Sequence, residues 1–576
     1  MKEILRFRAS LIRVLTILVC SALLIAPSLL LLWYIKTFAV NIIAGDEWVI
    51  VPLLQKEMQG TLMFSDLFMQ HNEHRILFPN IINLIIAQFT NYDTIAEIMF
   101  SWVFLCLTCF LIFHLYRKKF FWDSYPKLLL TFLPVSVLLF SFRQYDILWS
   151  PTIQIYTMIF SAVATFFLLD VSEKWDKWFI LGFVSATMAS YSFLLGLLVW
   201  PTGLLQIFLS KTERTKQKAF LWCVIGSVVY GFYFYGYIKP EYHPPLNYVL
   251  MNPLVGVKYF LIFLGAPFSW HPNTATALSL PLMLIALFSI TYVYRFRIFK
   301  RNAVWLSLII FAILCALGTT IGRAGFGFDQ AITGRYTPFT AIGIIGLYFL
   351  ALSVSQLPVK RRNFGVHALL TIFLIGLVVT YPGGWLAGHT MKDDYEKGAY
   401  ILKTYNIQSN ENINYLYPNA ETVRKGATFL EQNNLNVFAD RVLNMSSLIP
   451  IHSDSLFGLD TINGDNIPQD APPLVIHPNQ QETITITGWA VDKYSNDVAS
   501  SVFITINEID IPTIYGIDRP DIANKYNNTR FRFSGFIATF SSSILIHGEH
   551  AISLKIVRED QVHYYYVDCV KYIIVD

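Results

Sequence analysis

The sequence predicts a polytopic α-helical membrane protein with a C-terminal, exofacial all-β sandwich domain. Three observations predict it. The 576 residues are 54% hydrophobic and only 14% charged, and the mean hydropathy of +0.47 is too high for a soluble chain of this size, with the excess in residues 11–382. Long apolar runs in that stretch alternate with short Lys/Arg clusters. From about Ala471 the pattern changes to short alternating runs separated by turn residues. The net charge of +4 comes from the basic loops, so it speaks of topology and not of nucleic-acid binding.

Taken in order, Lys2, Arg6, Arg8 and Arg13 precede an apolar run to about Val40. That run is too long for a signal-peptide core and lacks a small-x-small cleavage site, so it reads as an uncleaved first span. Apolar runs at 12–36, 96–116, 127–142, 152–170, 177–190, 193–209, 219–237, 276–294, 303–321, 338–356 and 366–381 give about eleven spans. The pair 177–190 and 193–209 is short. Keeping both places the N-terminal basic residues, Arg117-Lys118-Lys119, Lys174 and Lys177, Lys211 to Lys218, Arg295 to Arg301 and Lys360-Arg361-Arg362 all on the cytoplasmic side; merging them would move the last three clusters outside.

The first exofacial loop, 41–95, has apolar residues at helical spacing over Trp48–Met58 and Glu73–Ala87, as interfacial helices do. Loop 238–275 is rich in Pro and aromatics, with a half-buried helix around Val255–Leu264. After Tyr381-Pro382-Gly383-Gly384 the chain turns polar. Residues 383–470 read as a mostly helical exofacial region, with Glu421–Asn433 its clearest helix. Residues 471–576 read as the sandwich, with strands at Leu474–His477, Thr483–Val491, Ser501–Glu508, Phe531–Thr539, Ala551–Arg558 and His563–Val575. Of the six cysteines, five lie in apolar spans and Cys569 is alone in the C-terminal region, so no disulfide is expected within it. The CxxC spacing of Cys106 and Cys109 reads as helix filler.

This topology gathers four polar constellations on the outer face, where ionisable groups beside a membrane signal function. Asp46 and Glu47, in Gly45-Asp46-Glu47-Trp48, sit at the membrane–water boundary, where a partly desolvated acid can serve as a general base toward a hydroxyl; the bland alternative is two acids marking a helix end in water. His71-Asn72-Glu73-His74-Arg75 precedes an apolar helix. If helical, it places His71, His74 and Arg75 on one face, suited to an anion or substrate, while its spacing is not a recognised metal-ligand pattern. Arg323 and Arg335, with Tyr336, flank a Gly-rich segment in which arginine forks and backbone amides suit phosphate oxygens; the alternative is snorkelling at helix ends. Asp146, in Arg143-Gln144-Tyr145-Asp146, is a second acid or a salt-bridged loop residue. In the sandwich, Trp489 and the turn Asp518-Arg519-Pro520-Asp521 read as core and turn rather than as a sugar platform.

An acid just past the first span, a long first exofacial loop, about eleven spans and a C-terminal exofacial domain resemble the GT-C superfamily of polyprenyl-phosphate-sugar-dependent glycosyltransferases. The elements that carry the resemblance are Gly45-Asp46-Glu47-Trp48, His71-Asn72-Glu73-His74-Arg75 and Arg335-Tyr336, within residues 1–382. Trp48 departs from the Arg-Tyr that follows the acidic pair in two better-known branches. The resemblance implies an inverting enzyme of a bacterial inner (plasma) membrane that moves a sugar from a polyprenyl phosphate to a cell-envelope glycan on the outer face. It implies Asp46, with Glu47 as the alternative, as the catalytic base or acceptor-orienting group; Arg75, Arg323, Arg335 and His74 at the donor phosphate; and His71, Glu73, Asp146 and Tyr336 at the substrate. No metal ligand is expected, and a divalent metal is not favoured as cofactor. A lipid-linked glycan transporter or flippase and an O-antigen-type polymerase are the competing readings.

Overall fold

The computed structural model describes residues 2–358, 362–439, 445–451, 455–467, 472–477 and 482–576, and for residues 2–10 and 446 the backbone alone. Lys360, Arg361, the sequon residue Asn444 and Ala471 lie outside the described residues. The chain divides into two compact units. The first holds residues 1–39, 56–88 and 95–391; the second holds 40–55, 89–94 and 392–576.

The first unit is a helical bundle. Its principal elements are α1 (Lys2–Phe38), α2 (Ile50–Met58, divided between the units), a two-stranded hairpin β1 (Gln70–His71) and β2 (His74–Arg75), α3 (Leu77–Thr90), α4 (Thr94–Lys119), α5 (Tyr125–Leu139), α6 (Ile153–Val171), α7 (Lys177–Ser190), α8 (Val199–Ser210), α9 (Thr215–Phe234), α10 (Pro253–Gly265), α11 (Pro272–Arg295), α12 (Phe299–Arg323), α13 (Thr337–Ser355) and α14 (Phe364–Lys403). A helix stands at each of the expected spans. Among the described residues, seven are long and apolar enough to cross a membrane unaided, or eight if the bent pair Tyr125–Leu139 and Phe142–Leu148 counts as one. The three that fall short of that standard, α7, α8 and α9, are short or charged at one end.

Several hydroxyls inside the bundle are satisfied locally. Ser161, Thr165, Thr319 and Thr320 each donate to the carbonyl four residues back, as a hydroxyl must where no water can reach. Glycines set the closest approaches: a Cβ on Gly346 would stand 2.7 Å from the Trp305 carbonyl of α12, so α12 and α13 touch nearly backbone to backbone.

The second unit pairs a helical part with a β-sandwich. After α14 come α15 (Asn410–Leu416) and α16 (Ala420–Gln432), capped by Ser409 and Asn419, whose side-chain oxygens accept from the amides of Asn412 and Thr422. The strands are β3 (Ile449–Ile451), β4 (Leu456–Ile462), β5 (Asp465–Asn466), β6 (Leu474–Ile476), β7 (Thr483–Asp492), β8 (Asp497–Val498), β9 (Ser501–Ile506), β10 (Ile509–Pro512), β11 (Ile514–Ile517), β12 (Gly535–Ser541), β13 (Gly548–Val557) and β14 (His563–Val575). They form two six-stranded sheets, one in the order β10-β9-β13-β14-β3 with β6 also on β14, the other β11-β12-β7-β4-β5 with β8 on β7. The sandwich therefore begins before residue 471: β3 runs parallel to β14, and β4 pairs with β7 along its length. Residues 531–533, expected to open a strand, belong to a 3-10 turn, Thr529–Phe533, and the strand starts at Gly535.

Ile462, Ile484, Ile486, Ile504 and Ile556, none of them exposed, make the sandwich core. Trp489 is 6% exposed and packs with Val491, Ile522 and Phe531, so its ring is core. Arg519 pairs with Asp460 and Asp521 and closes the turn it begins. Asp492 is fully buried. Its carboxylate accepts from the Tyr565 hydroxyl at 3.0 Å, the Tyr494 amide at 3.0 Å and the Glu559 amide at 3.2 Å, tying β7 to β14 across the two sheets. Asp492→Ala would leave those donors buried and unpaired; we expect it to destabilise the second unit by about 3 kcal/mol, read as a lowered thermal midpoint of the purified chain.

Candidate functional site

In the second unit, Asp46 and Glu47 lie in a 3-10 turn, Gly45–Val49, that follows the first span after six residues of extended chain. Gly45 opens it at φ +60°, a conformation that suits a residue without Cβ. Asp46 is half-buried and Glu47 buried, with the Tyr92 hydroxyl donating to Glu47 at 3.4 Å. Asn436 holds the loop: its side chain donates to Asn41 at 2.7 Å and to the Tyr92 carbonyl at 3.0 Å. Trp48 is buried against Gly426 of α16, where a Cβ would come within 2.8 Å of its ring. The acidic turn is thus built into the unit that carries the sandwich.

In the first unit, residues 70–75 are a tight antiparallel hairpin and not the start of a helix, with Gln70 opposite Arg75 and His71 opposite His74. Asn72 turns the chain at φ +50°, a left-handed conformation that Asn tolerates. The shared helical face expected for His71, His74 and Arg75 does not exist, because alternation along a strand sends neighbours to opposite sides. Glu73 and His74 go into a cleft of about 100 Å³, together with Tyr237, Lys239, His243, Arg323 and Tyr336. Arg75 does not line it. Its guanidinium is buried against backbone, donating to the carbonyls of Tyr233 at 2.7 Å, Phe68 at 2.9 Å and Tyr235 at 2.5 Å. So engaged, it pins the hairpin to the end of α9 and to Phe68.

Glu73 is the hub of the cleft. One carboxylate oxygen accepts from Arg323 and lies 3.5 Å from His74 Nε2; the other lies 3.5 Å from His243 Nε2. His74 is stacked on Phe193, with ring centres 3.9 Å apart. Its Nδ1 accepts from the Leu194 amide at 3.2 Å, so the neutral ring carries its proton on Nε2, facing Glu73. Burial pushes the His74 ring down to about 4, against the opposing pull of Glu73. Burial would raise the Glu73 carboxyl, but the His74 ring facing it and the Arg323 guanidinium outweigh that and hold the group low, at about 2. At neutral pH Glu73 is therefore an anion answered by Arg323, between two neutral imidazoles.

His243, Lys239 and Tyr237 come from loop 238–275 and the residue before it. The signal lay in Lys239-Pro240-Glu241-Tyr242-His243, a run of ionisable residues between prolines. Gln70 bonds both the amide and the carbonyl of Ile238, and Tyr242 donates to Asn72 at 2.7 Å, which clamps this loop to the hairpin. Its continuation is apolar and exposed: Leu246 62%, Leu250 82% and Leu254 84%.

Asp146 and Arg335 meet in a neighbouring turn outside the cleft. Asp146 accepts from the Arg335 amide at 2.7 Å, and the Arg335 guanidinium lies over the rings of Trp149 and Tyr336, at 5.7 and 5.5 Å. Arg143 is buried, bonded to the carbonyls of Ser269 and Ile332 and stacked on Trp270. Among the described residues no group of three or more His, Cys, Asp or Glu side chains is arranged to hold a metal ion.

No family model matches the chain. It is similar to an uncharacterized protein of Archaeoglobus fulgidus, 28% identical over 229 residues, which are 35% of this chain and 57% of that protein. Among solved structures it is similar to the Archaeoglobus fulgidus oligosaccharyltransferase tethered to an acceptor peptide (12% identity, 80% of this chain, 61% of that one, TM-score 0.39). It is also similar to ArnT from Cupriavidus metallidurans bound to undecaprenyl phosphate (12% identity, 72% of this chain, 89% of that one, TM-score 0.40). The chain thus spans less than two thirds of the archaeal relative and of the oligosaccharyltransferase.

The sign of the cleft's pH dependence follows from its lowered histidines. His74 and His243 both titrate below the ordinary histidine range in the folded chain. The stability they contribute is complete above about pH 6.5 and is lost as pH falls toward the folded values. Glu73, also lowered, acts only below about pH 4.3. We expect the thermal midpoint of the purified chain to fall between pH 7.5 and pH 5, and His74→Asn to flatten that slope.

Proposed function

We propose that the chain is a GT-C-type glycosyltransferase that moves a sugar from a polyprenyl phosphate to an envelope-glycan acceptor at the outer face of the plasma membrane, with inversion at the anomeric carbon. One observation carries the reading most. An ionic cleft around Glu73 and Arg323 lies beside the exposed leucines of 246–254, and that pairing suits an amphiphile with a phosphate head and an apolar chain.

In this reading the acceptor hydroxyl loses its proton to Asp46, with Glu47 the alternative base, and its oxygen bonds to the anomeric carbon as the bond to the lipid phosphate breaks. The electron pair leaves with the phosphate, so the protein must supply cations more than an acid. Arg323 and Lys239 supply them in the cleft, and Arg335 supplies a further one beside Tyr336. His74 and Arg75 act as positioning residues, holding Glu73 and the hairpin. In the same reading His71, Glu73, Asp146 and Tyr336 act on the substrate side, Glu73 and Tyr336 from within the cleft.

Transport is the weaker reading. Among the described residues, the buried charged side chains on the longer helices of the first unit, Glu97 and Lys218, lie in the first turn of α4 and α9, while Asp66 and Arg143 lie in short helical segments. A path for a charged glycan would require polar groups along the helix middles.

The test is a glycan comparison of cells carrying the wild-type chain and Asp46→Asn at equal protein level. We expect transfer to fall about 100-fold or more, with one sugar missing from an envelope polymer while its lipid-linked donor accumulates. Unchanged glycans would overturn the role of Asp46. Arg323→Gln should raise the KM for donor more than a substitution at Arg335 does.

A further inference from the structure

The other end of α12 carries a second cleft. From Phe299 to Arg323 the helix has 25 residues, about 36 Å at 1.5 Å per residue and longer than the hydrocarbon core is thick. Its ends therefore stand on opposite sides of the bilayer, with the Glu73 cleft at one. At the Phe299 end lies a cleft of about 900 Å³ into which Lys118, Lys119, Lys174, Lys211, Lys300 and Arg301 project from four different connections.

Two of these cations are built into its wall. Lys119 donates to Asp170 at 2.7 Å, with both side chains largely buried. Arg301 and Lys119 exchange hydrogen bonds with each other's carbonyls at 3.1 and 3.2 Å, and Arg301 also donates to Gln356 at 2.6 Å. Behind them the buried Lys218 ammonium bonds the Ser172 carbonyl and hydroxyl at 3.1 Å, which ties the α6–α7 connection to α9. The other four, Lys118, Lys174, Lys211 and Lys300, have no carboxylate partner among the described residues. Glu173 and Glu213 lie among them.

The charge bias of short inner loops explains why basic residues occur on this side. It does not require them to converge from four connections on one walled cleft. Trp122, Trp175 and Trp178 stand in two of the same connections, with Lys127 and Lys177 over the rings of Trp122 and Trp178 at 5.4 and 4.9 Å. Tryptophans of that kind mark the headgroup level.

We propose that this cleft binds the headgroup of an anionic phospholipid from the leaflet on its side. Lys174 and Lys300 would take the phosphate, and Glu173 and Glu213 would accept from headgroup hydroxyls. The probe is dioleoyl phosphatidylglycerol, titrated into the full chain in neutral detergent and followed by native mass spectrometry. The comparisons are dioleoyl phosphatidylcholine, glycerol 3-phosphate, the double variant Lys174→Gln/Lys300→Gln and the equal-charge control Lys127→Gln/Lys177→Gln. All four lysines are exposed, so neither double variant disturbs the core.

We expect one phosphatidylglycerol to be retained saturably, with its dissociation constant raised tenfold or more in the cleft variant and less than twofold in the control. Equal weakening in both variants would reduce the cleft to diffuse attraction and overturn the proposal, as would the absence of saturable retention by the wild type. Glycerol 3-phosphate binding as tightly as the lipid would also overturn it, in favour of a soluble phosphate compound.

Discussion

An arginine at the end of a membrane helix stays folded inward only if a counter-charge is brought to it. Here Arg323 closes α12, and the counter-charge is Glu73, carried in by a hairpin from elsewhere in the chain. Much of the local architecture serves that meeting. The hairpin is pinned by Arg75 to three carbonyls, Gln70 and Asn72 clamp the loop that brings His243, and the Leu194 amide sets the tautomer of His74. An ion pair held this way contributes little net stability, but it fixes which conformation the surrounding loops adopt.

The same economy of charge runs through the first unit. Buried ionisable groups stand in the hairpin, in connecting segments or at helix ends, where backbone carbonyls and amides are already seeking partners, and several hydroxyls in the helix middles turn back on their own backbone. The bundle interior is left to apolar packing and close glycine contacts, which hold membrane helices together in the absence of a hydrophobic drive between them. Chemistry is thereby confined to the ends. The second unit follows other rules: its sheets are tied by a buried aspartate that accepts from one strand and two turns, and its prominent tryptophan goes to packing.

The helices were legible because each span writes an apolar run long enough to be unambiguous, and all eleven expected runs are helical. The later strands were legible from their alternation. Those at Ile449–Ile451 and Leu456–Ile462 were not, because one is three residues long and the other carries Gly458 and Asp460, which break the pattern. The hairpin at 70–75 was not legible because its polar run abuts the apolar α3, and nothing in the spacing alone distinguishes a turn at Asn72 from the approach to that helix.

The sequence by itself determined a helical membrane region, a following β-rich region and the set of ionisable residues from which a site can be made. It did so because hydrophobic period and length act locally, residue by residue. Only the tertiary structure decided the partners. Arg323 meets Glu73 from 250 positions away, Arg75 faces carbonyls instead of a ligand, and His243 joins a cleft whose Glu73 and Arg323 lie far from it along the chain. Those choices depend on which donors and acceptors remain unpaired once the helices have packed, and no local pattern records that.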